Sequence, residues 1–291
     1  MGFDNAYEAI TEEVDDHRWA FGTGFADPLL GVDEAVPPGV TGSDLGEYCQ
    51  MLGDDALVCS HRLQEWLTRA PELEEETALA NVALDLLGQA RLLLSRAGQV
   101  DGTGRSEDDF AYWRGPEEFR NVCLVEVADD DFAALVVRLL MFSAWRLALF
   151  ERLRGSRDAV LAAVAAKGVS ELTYHRDYAA QWVVRLGDGT DFSRARTAAA
   201  LAEVTAVSGE LFASTDLEWR LADAGVAAEV SAVRDEIVSV LQAVTEQAGL
   251  EPVELDFDGV PSGRLGVHGP ALNAILEELQ SVARAHHGAT W

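Results

Sequence analysis

Two stretches limit what this chain can fold into: ELEEETALANVALDLLGQARLLLSRAG (72–98) and FAALVVRLLMFSAWRLALFERL (132–153). Both have helical composition and are apolar on nearly every face, and a helix with no polar face belongs in an interior. Two such helices in one chain predict the centre of a bundle. From Ser43 onward the pattern stays helical. Ser43 or Asp44 can cap a first helix, in which Leu52, Asp55, Ala56, Cys59, Leu63 and Trp66 recur at three- and four-residue spacing until Pro71. A fourth long helix runs from about Arg157 to Leu186 and stops at GDG. Shorter helices are predicted near 191–213, 217–247 and 270–286, with an irregular excursion, EPVELDFDGVPSGRLGVHGP, before the last. Strand signals and internal repeats are nearly absent. The expectation is all-α: a four-helix bundle over 44–291 with additional C-terminal helices. Residues 1–43, rich in Gly and Pro, read as a flexible N-terminal arm that Trp19, Phe21 and Phe25 can dock.

Charge narrows the function. Fifty acidic against 22 basic residues give a formal −28, and Lys167 is the single lysine. Nucleic acid is excluded as a partner, since phosphate binding needs basic surface. The acid-heavy, arginine-only surface fits a high-salt cytoplasm; a GC-rich genome explains the missing lysines but less of the acid excess. Cys49, Cys59 and Cys123 are scattered and form no CxxC pair, which points to a reducing compartment. The N-terminus lacks the basic-then-apolar order of a signal peptide, and no uncharged apolar run reaches the ~18 residues of a membrane helix. The expected location is the cytoplasm, with no membrane partner.

Four-helix bundles house di-iron sites built from one Glu on each of two helices and a Glu-x-x-His pair on each of the other two. Helix one offers Asp55, with His61 and Glu65 pointing outward. Helix two offers Asp85 beside Asn81 and Gln89, but the third residue on is Gly88, not histidine. The next helix has no carboxylate between Asp131 and Glu151, and Ser143 is taken as its mid-helix polar group. The last has Glu171, with Tyr174 at +3 and His175 at +4. Too few ligands remain for two irons. The favoured reading is a buried polar cluster of Asp55, Asp85, Glu171 and His175 satisfying one another; the alternative is that some of them face solvent. GTGF and GDGT are turns, and no phosphate loop or nucleophile elbow occurs. Arg146, Arg152, Arg154 and Arg157 are expected to be solvated or ion-paired, and His286 and His287 solvated. Phe142, Trp145, Phe150 and Trp182 are expected in core or interface.

Several segments resemble one family. LGDDALVCSHRLQEWLTRAPELEEETALANVALDLLGQARLLL (52–94), FRNVCLVEVADDDFAALVVRLLMFSAW (119–145), YHRDYAAQWVVRLGDGT (174–190) and the ending GRLGVHGPAL…GATW are similar to the C subunits of phenylacetyl-CoA epoxidases, the ring 1,2-epoxidases of aerobic phenylacetate breakdown. The resemblance spans about Asp44 to Trp291. It implies a ferritin-like fold, degenerate relative to a catalytic A subunit that holds the di-iron centre and inserts one oxygen across ring carbons 1 and 2. It also implies electrons from a flavin and iron–sulfur reductase, reached indirectly, and a structural role in pairing with A. On that basis Asp85, Glu171 and His175 are vestigial ligand positions, Asp55 rests on periodicity alone, and this chain carries no catalytic, metal or cofactor residue. The competing expectation is a di-iron oxygenase with an unusual ligand set. Ferritin-like metal storage is disfavoured by the same missing carboxylates.

Overall fold

The computed structural model describes residues 29–287 and 289. Nine α-helices occur among them: α1 Gly42–Gln64, α2 Leu73–Val100, α3 Glu107–Tyr112, α4 Phe132–Leu153, α5 Ala159–Gly187, α6 Asp191–Val207, α7 Asp216–Asp223, α8 Arg234–Gln247 and α9 Pro270–Ala285. The all-α expectation holds among the described residues.

Local chemistry sets the long helices. Thr41, not Ser43 or Asp44, caps α1: its side chain accepts from the Asp44 N–H at 3.0 Å. Asp131 caps α4 through the Ala134 N–H, and Asp158 caps α5 through the Leu161 N–H, both at 2.8 Å. Glu74, Glu75 and Glu76 fill the first turn of α2, where the helix dipole favours negative charge. Helix α5 ends at Gly187, as the GDG signal predicts.

Helices α1 and α2 form one antiparallel hairpin. Gly53 of α1 lies against Leu93 and Leu94 of α2, and the Ser60 hydroxyl donates to the Ala83 carbonyl at 2.7 Å. Helices α4 and α5 form a second, with Gly168 against the Phe150 ring. Pairings of Asp85 with His175 and of Gln89 with Glu171 place α2 antiparallel to α5. It follows that α2 and α4 run in the same direction. The connection from 101 to 131 must therefore travel the length of the bundle, about 33 Å for a 22-residue helix. One long crossover between two hairpins is the ferritin-like arrangement.

The crossover is tied to α1 by two adjacent aspartates. Asp54 accepts from the Arg114 guanidinium, the Arg120 N–H and Gln50, and Asp55 accepts from the Val122 N–H. Helices α6 and α8 pack on the α4–α5 hairpin, α7 touches α1, and α9 lies on α1 and α3.

Helix α4 is the centre: 18 of its 22 residues are buried. Each fully buried large apolar side chain there contributes about 1.5–3 kcal/mol relative to exposure. By length and mean hydropathy α2 and α4 are both long and apolar enough to cross a membrane, although charged residues interrupt each, so neither contains an uncharged run of ~18 residues. Helix α4 is instead enclosed by its own chain. Helix α2 departs from expectation in the other direction, because it is not central. Leu73 and Leu84 are 71% and 60% exposed, so one apolar side of α2 is open.

Two boundaries differ from the sequence reading. The helix expected over 217–247 is interrupted between α7 and α8, where Gly225 adopts φ +71°, a conformation that favours glycine. Of the arm expected over 1–43, residues 1–28, with Trp19, Phe21 and Phe25, lie outside the described residues. Residues 29–41 lie on the bundle: Leu29, Val32, Val36 and Val40 pack against the core, and Arg96 and Arg157 donate to the carbonyls of Glu34 and Pro38.

Candidate functional site

The four expected site residues do not converge. Asp55 and His175 are fully buried, but the Asp85 side chain is 37% exposed and that of Glu171 15% exposed. The single buried cluster is therefore corrected to three separate groupings.

Asp55 faces the crossover and the late excursion. Its Oδ1 and Oδ2 accept from Arg264 Nη1 and Nη2 at 2.9 and 2.7 Å, a bidentate pair in the interior. Burial works against the charge on Arg264, yet Asp55, then Glu218, hold its pKa above the ordinary range. Asp85 meets His175, with Oδ2 3.1 Å from Nε2, while the buried His175 Nδ1 has no hydrogen-bond partner. One turn away along α2, Gln89 donates through Nε2 to Glu171 Oε2 at 3.0 Å, and Lys167 donates to the other oxygen of Glu171.

Between these groupings lies a residue that the sequence reading assigned to a solvated or ion-paired helix end. Arg146, in α4, is fully buried. Its Nε donates to Gln89 Oε1 at 3.0 Å and its Nη1 to the Leu52 carbonyl at 3.1 Å; Asp55 Oδ2 lies 3.9 Å away. Burial pushes the guanidinium pKa down to about 10, with Asp55 opposing that push. At neutral pH Arg146 is a cation at the heart of the bundle. One polar chain thus runs Arg264–Asp55–Arg146–Gln89–Glu171–Lys167 and touches all four bundle helices. The other buried arginine of α4, Arg138, pairs with Asp129.

These residues do not fit a di-iron centre. Two irons need carboxylates and imidazoles aimed at a common point. Here Asp55 is spent on Arg264, Asp85 and Glu171 sit in separate pairs, and α4 supplies a cation where a carboxylate would be needed. Among the described residues, the groups of three or more potential metal-ligating side chains lie elsewhere, at Glu72, Glu74 and Glu75 and at Cys123, Glu126 and His268.

The remaining candidates are structural. Phe142, Trp145 and Phe150 are core residues, and the Trp145 indole donates to the Leu211 carbonyl at 2.8 Å. Trp182 is half-buried edge-on to Phe132. Arg152 pairs with Glu236, Arg154 with Glu151, and Arg157 donates to the Ala224 carbonyl. His287 lies against the Trp113 ring. The three cysteines are free. His61 and Ser60 line a cleft of about 340 Å³ between α1, α2, α3 and α9, floored by Leu57, Leu87 and Leu94.

Residues missed from the sequence share one property: each binds across a long separation. Asp54 is adjacent to the Asp55 that periodicity found. Arg264, Glu126 and His268 lie in irregular segments, where no period marks an inward face. For Arg146 a signal did exist, since an arginine deep in an otherwise apolar helix must be paired.

The family model for phenylacetic acid catabolic proteins matches residues 32–291. The C subunit of the 1,2-phenylacetyl-CoA epoxidase of Escherichia coli (strain K12) is 38% identical over 250 residues, covering 86% of this chain and the whole of that relative. With a match over that span, on a bundle of this topology, the chain belongs to the phenylacetic acid catabolic protein family.

Proposed function

We propose that the chain is a structural subunit of a multicomponent phenylacetyl-CoA epoxidase, pairing with a di-iron catalytic subunit and stabilising it. The observation that carries this reading is Arg146: a buried guanidinium occupies the bundle centre, on the helix that lacks any inward carboxylate. A permanent cation there opposes the binding of two further cations in a low-dielectric interior. In this reading the catalytic subunit holds the iron, a flavin and iron–sulfur reductase supplies electrons to it, and the complex is cytoplasmic. The open side of the α2–α5 seam, where Leu84 and the 49%-exposed Tyr174 flank Asp85, is the surface best suited to an obligate partner.

The first experiment is iron analysis of the chain purified alone after growth in iron-rich medium, followed by co-purification with the family's catalytic subunit. Near-zero iron in the lone chain and a stable complex with the iron-bearing subunit are expected. Close to two irons per chain would overturn the proposal and make the chain an oxygenase with an unusual ligand set.

A further inference from the structure

Cys123, Glu126 and His268 stand outside the bundle core, where the crossover meets the excursion before α9. Cys123 and Glu126 lie three residues apart on one 3₁₀ turn, a spacing at which side chains eclipse. His268 reaches them from the loop that opens α9. One potential ligand atom from each of the three lies within 4.8 Å of the others. We propose that Cys123, Glu126 and His268 form a binding site for a thiophilic divalent cation, zinc by its donor set, which clips the crossover to the start of α9.

The imidazole is already oriented for this task. His268 Nε2 is 3.0 Å from the Phe119 carbonyl, to which it can donate, and that contact turns Nδ1 toward Glu126 Oε1 at 2.6 Å. A backbone carbonyl on the far nitrogen is the usual outer partner of a ligating histidine. Glu126 is held too: the Gly269 N–H donates to Oε2 at 3.2 Å and Asn121 Nδ2 to Oε1 at 3.0 Å.

Asn121 lies against the cluster. Its side chain is fully buried; Nδ2 donates to Glu126 Oε1 at 3.0 Å and to the Val122 carbonyl at 3.1 Å, while Oδ1 has no hydrogen-bond partner. A half-turn of the amide would give up both bonds and bring Oδ1 beside Glu126 Oε1, an exchange that only a cation between the two oxygens would favour.

The Glu210 carboxylate accepts from the Cys123 and Gly263 N–H groups at 2.8 and 2.7 Å, which brings a second acid to the edge of the cluster. The guanidiniums that border the site are each engaged: Arg264 with Asp55, Arg62 with Glu65 and the Glu126 carbonyl, and Arg120 with the Phe119 carbonyl. Burial, with Glu210 and Glu126, raises the Cys123 pKa and keeps the thiol protonated; a divalent cation would convert it to thiolate. Sulfur, imidazole and carboxylate together select zinc over magnesium or calcium. With zinc bonds of about 2.0–2.2 Å at a tetrahedral angle, nitrogen and oxygen ligands stand about 3.3–3.5 Å apart, so the 2.6 Å Nδ1–Oε1 approach must open by about 0.7–0.9 Å as the ion replaces the proton between them. Cys123 is half-exposed, which gives the ion a way in.

The test uses the full chain stripped with a chelator and titrated with zinc by calorimetry, and with cobalt(II) by absorption. One zinc per chain with a Kd of about 1 µM or tighter is expected, with a thiolate-to-cobalt charge-transfer band. Cys123→Ser should abolish the band, and both Cys123→Ser and His268→Gln should weaken zinc binding at least about ten-fold. Cys49 and Cys59 are fully buried in α1, so a band that survives Cys123→Ser places the metal elsewhere and overturns the proposal. Absence of zinc binding by the unsubstituted chain also overturns it and leaves His268 and Glu126 as a plain hydrogen-bonded pair.

Discussion

Arg146 and Gln89 meet 3.0 Å apart in the middle of the bundle, and through that contact one guanidinium on α4 reaches the carboxylate of Glu171 on α5. Removing either of two neighbouring members of the polar chain should have unequal consequences. Arg146→Met keeps Asp55 in its bidentate pair with Arg264 and forfeits two hydrogen bonds, each worth about 1 kcal/mol, partly offset by losing a desolvated charge. Asp55→Ala strands both arginines in the interior and should cost about 3–5 kcal/mol. Thermal unfolding midpoints should place Asp55→Ala well below Arg146→Met, and the reverse order would contradict the assignment of Arg264 as the main partner of Asp55.

Glu171→Gln should be nearly silent. The amide still offers an oxygen to Gln89, and the lost partner, Lys167, is 41% exposed, where an ion pair is worth about 0–1 kcal/mol. Epoxidation by the assembled complex should stay within about three-fold of normal, since removing an exposed ion pair touches no ligand. Total loss of activity with assembly intact would show that Glu171 does chemistry.

Leu84 tests the partner surface. A charge at this exposed position leaves the chain's own core untouched but would have to be buried unpaired in a complex. Leu84→Arg is expected to leave the unfolding midpoint of the lone chain unchanged and to abolish co-purification with the catalytic subunit. Undiminished complex formation would move the interface off α2.

Two glycines of α2 should respond in opposite directions. A Cβ on Gly88 meets nothing within 4 Å, so Gly88→Ala should stabilise the helix by about 0.5–1 kcal/mol. A Cβ on Gly98 would lie 1.9 Å from the Arg105 carbonyl oxygen, where the chain turns into the crossover. Gly98→Ala should cost at least about 1–3 kcal/mol. Urea unfolding of the two variants checks the contrast.

His61 should make the fold acid-sensitive. Burial lowers its pKa below the ordinary 6.5, with Glu278 and Glu65 opposing the shift. The unfolded chain then binds the extra proton first, so stability falls as pH drops through and below 6.5. His61→Gln should flatten that part of the stability–pH curve, and the imidazole proton resonance of the parent chain should titrate below 6.5.

More of the scaffold than of its polar interior is legible in the sequence. Helix α4 can be read because apolar residues on every face leave no alternative to burial. Helix α2 is overread for the same reason: composition reports how apolar a helix is, not whether its own chain covers it, and Leu73 and Leu84 remain open. Asp85 and His175 face each other across two helices, a kind of contact that helical spacing can bring to notice because it preserves the period. Asp55 obeys the period too, but its partner Arg264 comes from a segment with none. A search framed around missing carboxylates also passes over the cation standing in the middle of α4.

The bond between Asp55 and Arg264 closes across 209 residues. At synthesis rates of about 5–20 residues per second, Asp55 leaves the ribosome roughly 10–40 s before its main counter-ion exists. During that interval the first hairpin holds an acid facing inward with no bidentate partner, so the crossover can be positioned but not locked. Completion of the interior is thus timed by translation of the segment that carries Arg264.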